Sequence, residues 1–122
     1  MPEAHERGVV LVVDDSNVAR AAVSARLVDA GLDVRDAVGC SDGACVDLER
    51  VGAAILDLEL GDGNGVELAR TLRATHASLP IAFLTSATTS HLATEARELG
   101  PVFEKGRELA AAVAWATARV GR

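Results

Sequence analysis

The sequence predicts an α/β fold in which five parallel strands alternate with five helices, forming one open, doubly wound sheet with helices on both faces. Two observations lead there. Short β-branched apolar runs recur along the chain, and segments of helical length with polar starters or glycines separate them. Connections of that kind join parallel strands through right-handed crossovers, which place helices over both sheet faces. At 122 residues the chain has the length of one domain and can bury one core.

The first strand is the clearest. Val9-Val10-Leu11-Val12-Val13 is an unbroken β-branched run of the type that a strand buried on both faces requires, and it stops at Asp14-Asp15. Ser16 or Asn17 then caps a helix in which Ala19, Val23, Leu27 and Ala30 form one apolar stripe, closed by Gly31. Further strands are predicted near Val34 to Val38, Ala53 to Leu56, Ile81 to Leu84 and Val102 to Phe103. The remaining helices fall at approximately Ser41 to Arg50, Val66 to His76, Ser90 to Leu99 and Arg107 to Val120. In the last helix Leu109, Val113, Ala116 and Val120 make the predicted core stripe, and Trp115 points roughly away from Val113, which suits either a partner or dimer surface or packing under a neighbouring loop. No Pro/Ser-rich linker, charge block or repeat marks a second domain. The expectation is a single domain over residues 1–122, with its core at about 8–120 and no output module.

Composition narrows the function classes. A formal net charge of -6 with scattered Lys and Arg argues against a nucleic-acid surface, which needs clustered cations. No stretch approaches the ~18 apolar residues of a membrane span, and MPEAHERG lacks a basic flank followed by an apolar run, so a cytoplasmic location is expected. Cys40 and Cys45 have no CxxC spacing and no nearby histidine, so they cannot supply a zinc site and read as idle thiols. His5, His76 and His91 show no metal-ligand spacing and read as surface residues.

In an open parallel sheet the usable crevice lies outside the carboxyl ends of the strands. Those ends are polar here: Asp14-Asp15 follows the first strand, Asp57 the third, Thr85 the fourth and Lys105 the fifth. Three carboxylates at one edge raise one another's pKa unless a cation joins them, and hard oxygen ligands of this kind suit magnesium. Thr85 and Lys105 are left to face an anion, and a phosphoryl group beside the metal fits both needs. Taken singly, each residue is an ordinary cap or turn former. Taken together, in this order at successive strand ends, they point to phosphoryl transfer.

The segments VLVVDDS, ILDLELGDGNG, FLTS and FEKG, in this order, resemble the bacterial response-regulator receiver family, the CheY-like domains of two-component signalling, across almost the whole chain. The resemblance implies a flavodoxin-like (βα)5 fold with strand order 2-1-3-4-5. It implies that Asp57 is the phosphoacceptor, that Asp15 and more indirectly Asp14 hold Mg2+, and that the backbone carbonyl of Glu59 completes the protein ligands. Thr85 and Lys105 would contact phosphoryl oxygens. The implied donor is a phosphohistidine on a histidine kinase or histidine phosphotransfer protein, and the implied output is altered binding of a downstream protein target. Catalysis beyond self-phosphorylation and self-dephosphorylation is not expected.

Several positions depart from the family pattern. Gly61 stands where proline is common, so the loop from Gly61 to Gly65 is expected to be more flexible. Gly106 replaces the proline after the lysine, where the family's peptide is cis, so a displaced Lys105 is expected. Val102 occupies the place of the usual switch aromatic, and Phe103 lies one position off, which puts the output coupling in question. Two rival readings follow. A receiver fold kept as a phosphorylation-independent scaffold is one. A small haloacid-dehalogenase-like phosphatase is the other, although Asp57-Leu58-Glu59-Leu60-Gly61 misses the DxDx[TV] motif of that class.

Overall fold

The structure, a computed structural model, describes residues 8–120. His5 lies outside them. β1 (Val9–Val13) is buried along its whole length because it runs between two neighbours, β2 (Asp33–Ala37) and β3 (Val51–Leu56). β6 (Ile81–Thr85) and β7 (Val102–Glu104) follow β3, giving a five-stranded parallel sheet in the order β2-β1-β3-β6-β7. This is the expected flavodoxin-like order. The intervening labels belong to two short strands outside the main sheet, β4 (Glu59–Leu60) and β5 (Gly63–Asn64), which pair antiparallel.

The two sheet faces carry separate cores. On one side Val23 and Leu27 of α1 (Asn17–Asp29) and Ala112 and Ala116 of α5 (Leu109–Val120) cover Val10, Val12, Ile55 and Leu84. On the other, α3 (Gly65–Thr75) and α4 (His91–Ala96) contribute Val66, Leu68, Ala69, Leu72, Ala93 and Ala96 over Leu11, Val13, Leu56 and Phe83. Strand register then sets the site. Val13 pairs with both Ala37 and Leu56, so the chain leaves β1 and β3 at one level. Asp14 N–H donates to the Ala37 carbonyl at 3.2 Å, and Asp57 N–H to the Val13 carbonyl at 2.8 Å. Asp14 and Asp57 are therefore neighbours at the carboxyl edge.

Three expectations change. The second helix, predicted over Ser41 to Arg50, is only α2 (Cys40–Ala44). Asp47 accepts from the Glu49 N–H at 2.9 Å, and Arg35 binds the carbonyls of Asp47 and Glu49, so local side-chain bonds replace the helical ladder. Where the sequence reads a loop over Gly61 to Gly65, a short two-stranded hairpin forms: Leu60 pairs with Gly63, and Asp62 at its tip is tied to α2. In α5 the buried residues are Ala112 and Ala116, with Leu109, Val113, Trp115 and Val120 packed around them half-buried. Trp115 lies under the Arg119 guanidinium, 5.1 Å from the ring centroid.

Candidate functional site

Among the described residues the buried polar or charged residues are Asp14, Asp57 and Thr85, each at the end of a strand or immediately beyond it. Burial of such groups is expensive without partners, so their coincidence at one edge marks a built site. Carboxylate oxygens of Asp14, Asp15 and Asp57 all lie within 4.8 Å of one another. Asp15 is exposed, which leaves the cluster open to solvent on one side.

Lys105 joins the cluster from β7. Its Nζ lies 2.9 Å from Asp14 Oδ2 and 3.1 Å from Asp57 Oδ2, bridging the two buried carboxylates. Lys105 reaches the cluster with all described peptide bonds trans, and Gly106 after it adopts φ +84, a left-handed conformation suited to glycine. Lys105 N–H also donates to the Thr85 carbonyl at 2.9 Å, locking the lysine to the fourth strand of the main sheet. Thr85 Oγ1 accepts from the Ala87 N–H at 3.1 Å in the turn that follows.

The remaining bonds come from the backbone. Ser16 N–H donates to Asp14 Oδ1 at 2.9 Å, and Glu59 N–H donates to Asp57 Oδ1 at 3.4 Å, while the Glu59 side chain is exposed. Gly65 explains itself here, because a Cβ at that position would lie 2.4 Å from the Asp57 carbonyl oxygen. Glycine lets α3 begin directly against the strand end that carries Asp57.

Burial and the nearby Asp14 charge push the Asp57 carboxyl up to about 6, against the opposing pull of Lys105 and the Glu59 N–H. Burial draws the Lys105 ammonium down, but hydrogen bonds and charge from Asp14 and Asp57 outweigh it and hold it above its ordinary value. One ammonium is thus too little positive charge for the carboxylates present. An open cluster of hard oxygens that lacks positive charge fits a divalent cation such as Mg2+.

Two residues beyond those singled out from the sequence also belong to this edge. Arg20 holds the Asp14 carbonyl at 2.8 Å, and Asp62 accepts from the N–H groups of Cys40 and Ser41 at 2.7 and 3.0 Å. Neither carries a sequence signal stronger than a charged residue close to the acids. Cys40 and Cys45 are free, and His76 and His91 are exposed, as expected.

The family profile described as response regulator receiver domain matches residues 10–102, most of the chain. The chain belongs to the response regulator receiver family. A search of curated protein sequences found no match. Among solved structures, a response regulator receiver protein from Pseudomonas putida is 30% identical with a TM-score of 0.79, covering 92% of this chain and 97% of that one. The chemotaxis protein CheY4 of Vibrio cholerae is similar in fold at 24% identity and a TM-score of 0.82, covering 93% of this chain and 99% of that one. The non-phosphorylated HemR receiver domain from Leptospira biflexa is 25% identical with a TM-score of 0.78, over 88% of this chain and 90% of that one. Receiver domains are signalling domains of two-component systems rather than conventional enzymes, and they interact with kinases or phosphotransfer proteins. Receiver domains typically bind Mg2+ in an acidic pocket, and this receiver has a cluster of Asp14, Asp15 and Asp57 at the carboxyl edge of its sheet. No helix among the described residues is long and apolar enough to cross a membrane.

Proposed function

We propose that this receiver is a cytoplasmic phosphoacceptor that takes a phosphoryl group on Asp57 and thereby changes its binding to a downstream protein. The donor is the phosphohistidine of a histidine kinase or histidine phosphotransfer protein. The observation that carries this reading is the Lys105 ammonium placed between the Asp57 and Asp14 carboxylates, with Asp15 open to solvent beside them.

In the proposed step an Asp57 carboxylate oxygen attacks phosphorus, the phosphorus–nitrogen bond to the donor imidazole breaks, and its electron pair leaves with that nitrogen. The product is an acyl phosphate. Asp14, Asp15, Asp57 and the Glu59 carbonyl are the residues that would hold Mg2+, which when bound neutralises charge on the phosphoryl oxygens. Lys105 neutralises the same charge from the end of the edge strand β7, and the Thr85 hydroxyl supplies a donor at the end of β6. The rest of the work is positioning: β1 and β3 fix Asp14 and Asp57 by backbone bonds, so little reorganisation accompanies the reaction.

Incubation with acetyl phosphate and Mg2+, read by intact-mass spectrometry, tests the reading. The protein should gain one phosphoryl mass, and Asp57→Asn should gain none. Labelling of the Asn variant would refute the assignment of Asp57. A wild-type protein that neither labels nor responds to beryllofluoride would instead support the scaffold reading.

A further inference from the structure

Arg20 lies near the N-terminal end of α1 and folds back over the turn that precedes it. Its Nη1 donates to the Asp14 main-chain carbonyl at 2.8 Å, and its Nη2 donates to Asn17 Oδ1 at 2.7 Å. Its Nε lies 3.5 Å from Asp36 Oδ2 on the edge strand β2, and the side chain is only 16% exposed. One guanidinium therefore ties together the end of β1, the first residue of α1 and the neighbouring strand.

This placement runs against local preference. A cation near a helix N-terminus opposes the macrodipole, and α1 has no acidic residue in its first turn to offset it. Fixing a long side chain in one rotamer also costs entropy. What the arrangement secures is the backbone of Asp14-Asp15. Asp14 has its carboxylate held by Ser16 N–H and Lys105, yet the peptide that links it to Asp15 is held by Arg20. The direction in which Asp15 presents its carboxylate depends on that peptide.

We propose that Arg20 is a positioning residue for the cation site, holding the β1–α1 turn so that the Asp14 and Asp15 carboxylates converge with Asp57. The inference rests on the reading above, in which those carboxylates hold Mg2+. Groups that orient metal ligands commonly alter metal affinity 10–100-fold when removed. The fork geometry is specific to arginine, because a lysine ammonium retains the charge but cannot bond the Asp14 carbonyl, Asn17 and Asp36 together.

Calorimetric titration of the full chain with magnesium chloride alone tests this on the wild type, Arg20→Ala, Arg20→Lys and Asp36→Asn. We expect Arg20→Ala to weaken Mg2+ binding about 10-fold or more and Arg20→Lys to remain impaired. Asp36→Asn, which leaves both Nη bonds in place, should lose less. Labelling by acetyl phosphate at rising Mg2+ supplies a second readout. Both Arg20 variants should require more Mg2+ for half-maximal rate and approach the wild-type rate at saturation, a split that general loss of structure does not produce. Thermal unfolding in EDTA establishes that each variant folds, and Arg20→Lys decides the matter if Arg20→Ala does not. Affinity of a folded Arg20→Ala within two-fold of wild type, or full recovery by Arg20→Lys, would overturn the positioning role while leaving the phosphoacceptor reading intact. A wild type that binds no Mg2+ would overturn both.

Discussion

Removing the charge of Asp57 should stabilise the metal-free protein at neutral pH. The Asp57 carboxyl is raised from its ordinary value of 3.8 to about 6, first by burial and then by Asp14. Between those two values the folded protein retains a proton that the unfolded chain has already released. Folding stability therefore falls as pH rises through this window and stays reduced above it. A gap of about two pH units corresponds to ~3 kcal/mol, which for a chain of this size is on the order of 10 °C in midpoint. Asparagine keeps the size of the neutral acid and does not titrate, so Asp57→Asn should escape most of that loss.

The assay is thermal or urea unfolding of the wild type and Asp57→Asn from about pH 3 to pH 8 in EDTA, a range that brackets both 3.8 and about 6. The two proteins should be nearly equally stable at the acid end. Their difference should open between about pH 4 and pH 6 in favour of the Asn variant and level off above that. Adding Mg2+ at neutral pH should raise the midpoint of the wild type more than that of the variant, because a ligand that binds only the folded state stabilises it by mass action. Parallel stability curves in EDTA, or a wild type that is the more stable of the two at neutral pH, would refute the reasoning.

Lys105→Ala leaves two buried carboxylates without their shared cation, so it should lower stability at neutral pH in EDTA by on the order of 2–3 kcal/mol. That loss should shrink in acid, as Asp57 protonates, and a pH-independent loss would point to packing alone. Backbone bonds from Ser41 and Cys40 hold Asp62 below its ordinary value, so its contribution is present at neutral pH and disappears as pH falls through the lowered value. Asp62→Ala should accordingly reduce the unfolding midpoint at neutral pH, with the difference closing in strong acid; equal midpoints at neutral pH would exclude a stabilising role. Beryllofluoride with Mg2+ should shift amide resonances of residues 40–44 and 57–65 more than those of 102–115, and the opposite ranking, abolished by Phe103→Ala, would place the switch in β7.

The parts of the fold that could be read from the sequence are those with an unambiguous physical signature. Val9 to Val13 forms a central strand because no polar residue interrupts it, and the acids, Thr85 and Lys105 mark the sheet edge because each ends an apolar run. The hairpin of β4 and β5 was not legible, since strands of two residues have no periodicity to detect. The length of α2 is not legible because the bonds that hold the chain non-helical beyond it, from Asp47 and Arg35, are local side-chain and tertiary ones. In α5 the larger apolar residues drew the predicted stripe, yet the buried positions are Ala112 and Ala116. Small side chains let the helix approach the sheet closely, so the face of nearest contact is alanine and the larger residues line its margins. Arg20 was invisible for a related reason, because its partners include a main-chain carbonyl.

The pairing of β6 with β7 fixes which side chain shares the Thr85 face of the sheet. Phe83 pairs with Val102, Leu84 with Phe103 and Thr85 with Glu104. Side chains alternate across a strand, so Val102 shares the face of Phe83 and Thr85, and Phe103 lies on the opposite face against Leu84 and the α1–α5 core. No irregularity interrupts this pairing, so Phe103 cannot replace an aromatic that follows Thr85. Moving a two-state equilibrium from 1:99 to 99:1 takes ~5.5 kcal/mol of differential interaction, and a valine side chain fully transferred between water and core accounts for only about 1.5–3 kcal/mol. The hairpin offers a more direct connection. Glu59 N–H touches the Asp57 carboxylate, and three residues later Asp62 binds the first two N–H groups of α2. The hairpin thus links Asp57 to α2 through bonds already in place, alongside the direct contact of Lys105 Nζ with the Asp57 carboxylate at the end of β7, while on the Thr85 face β7 offers only the side chain of Val102.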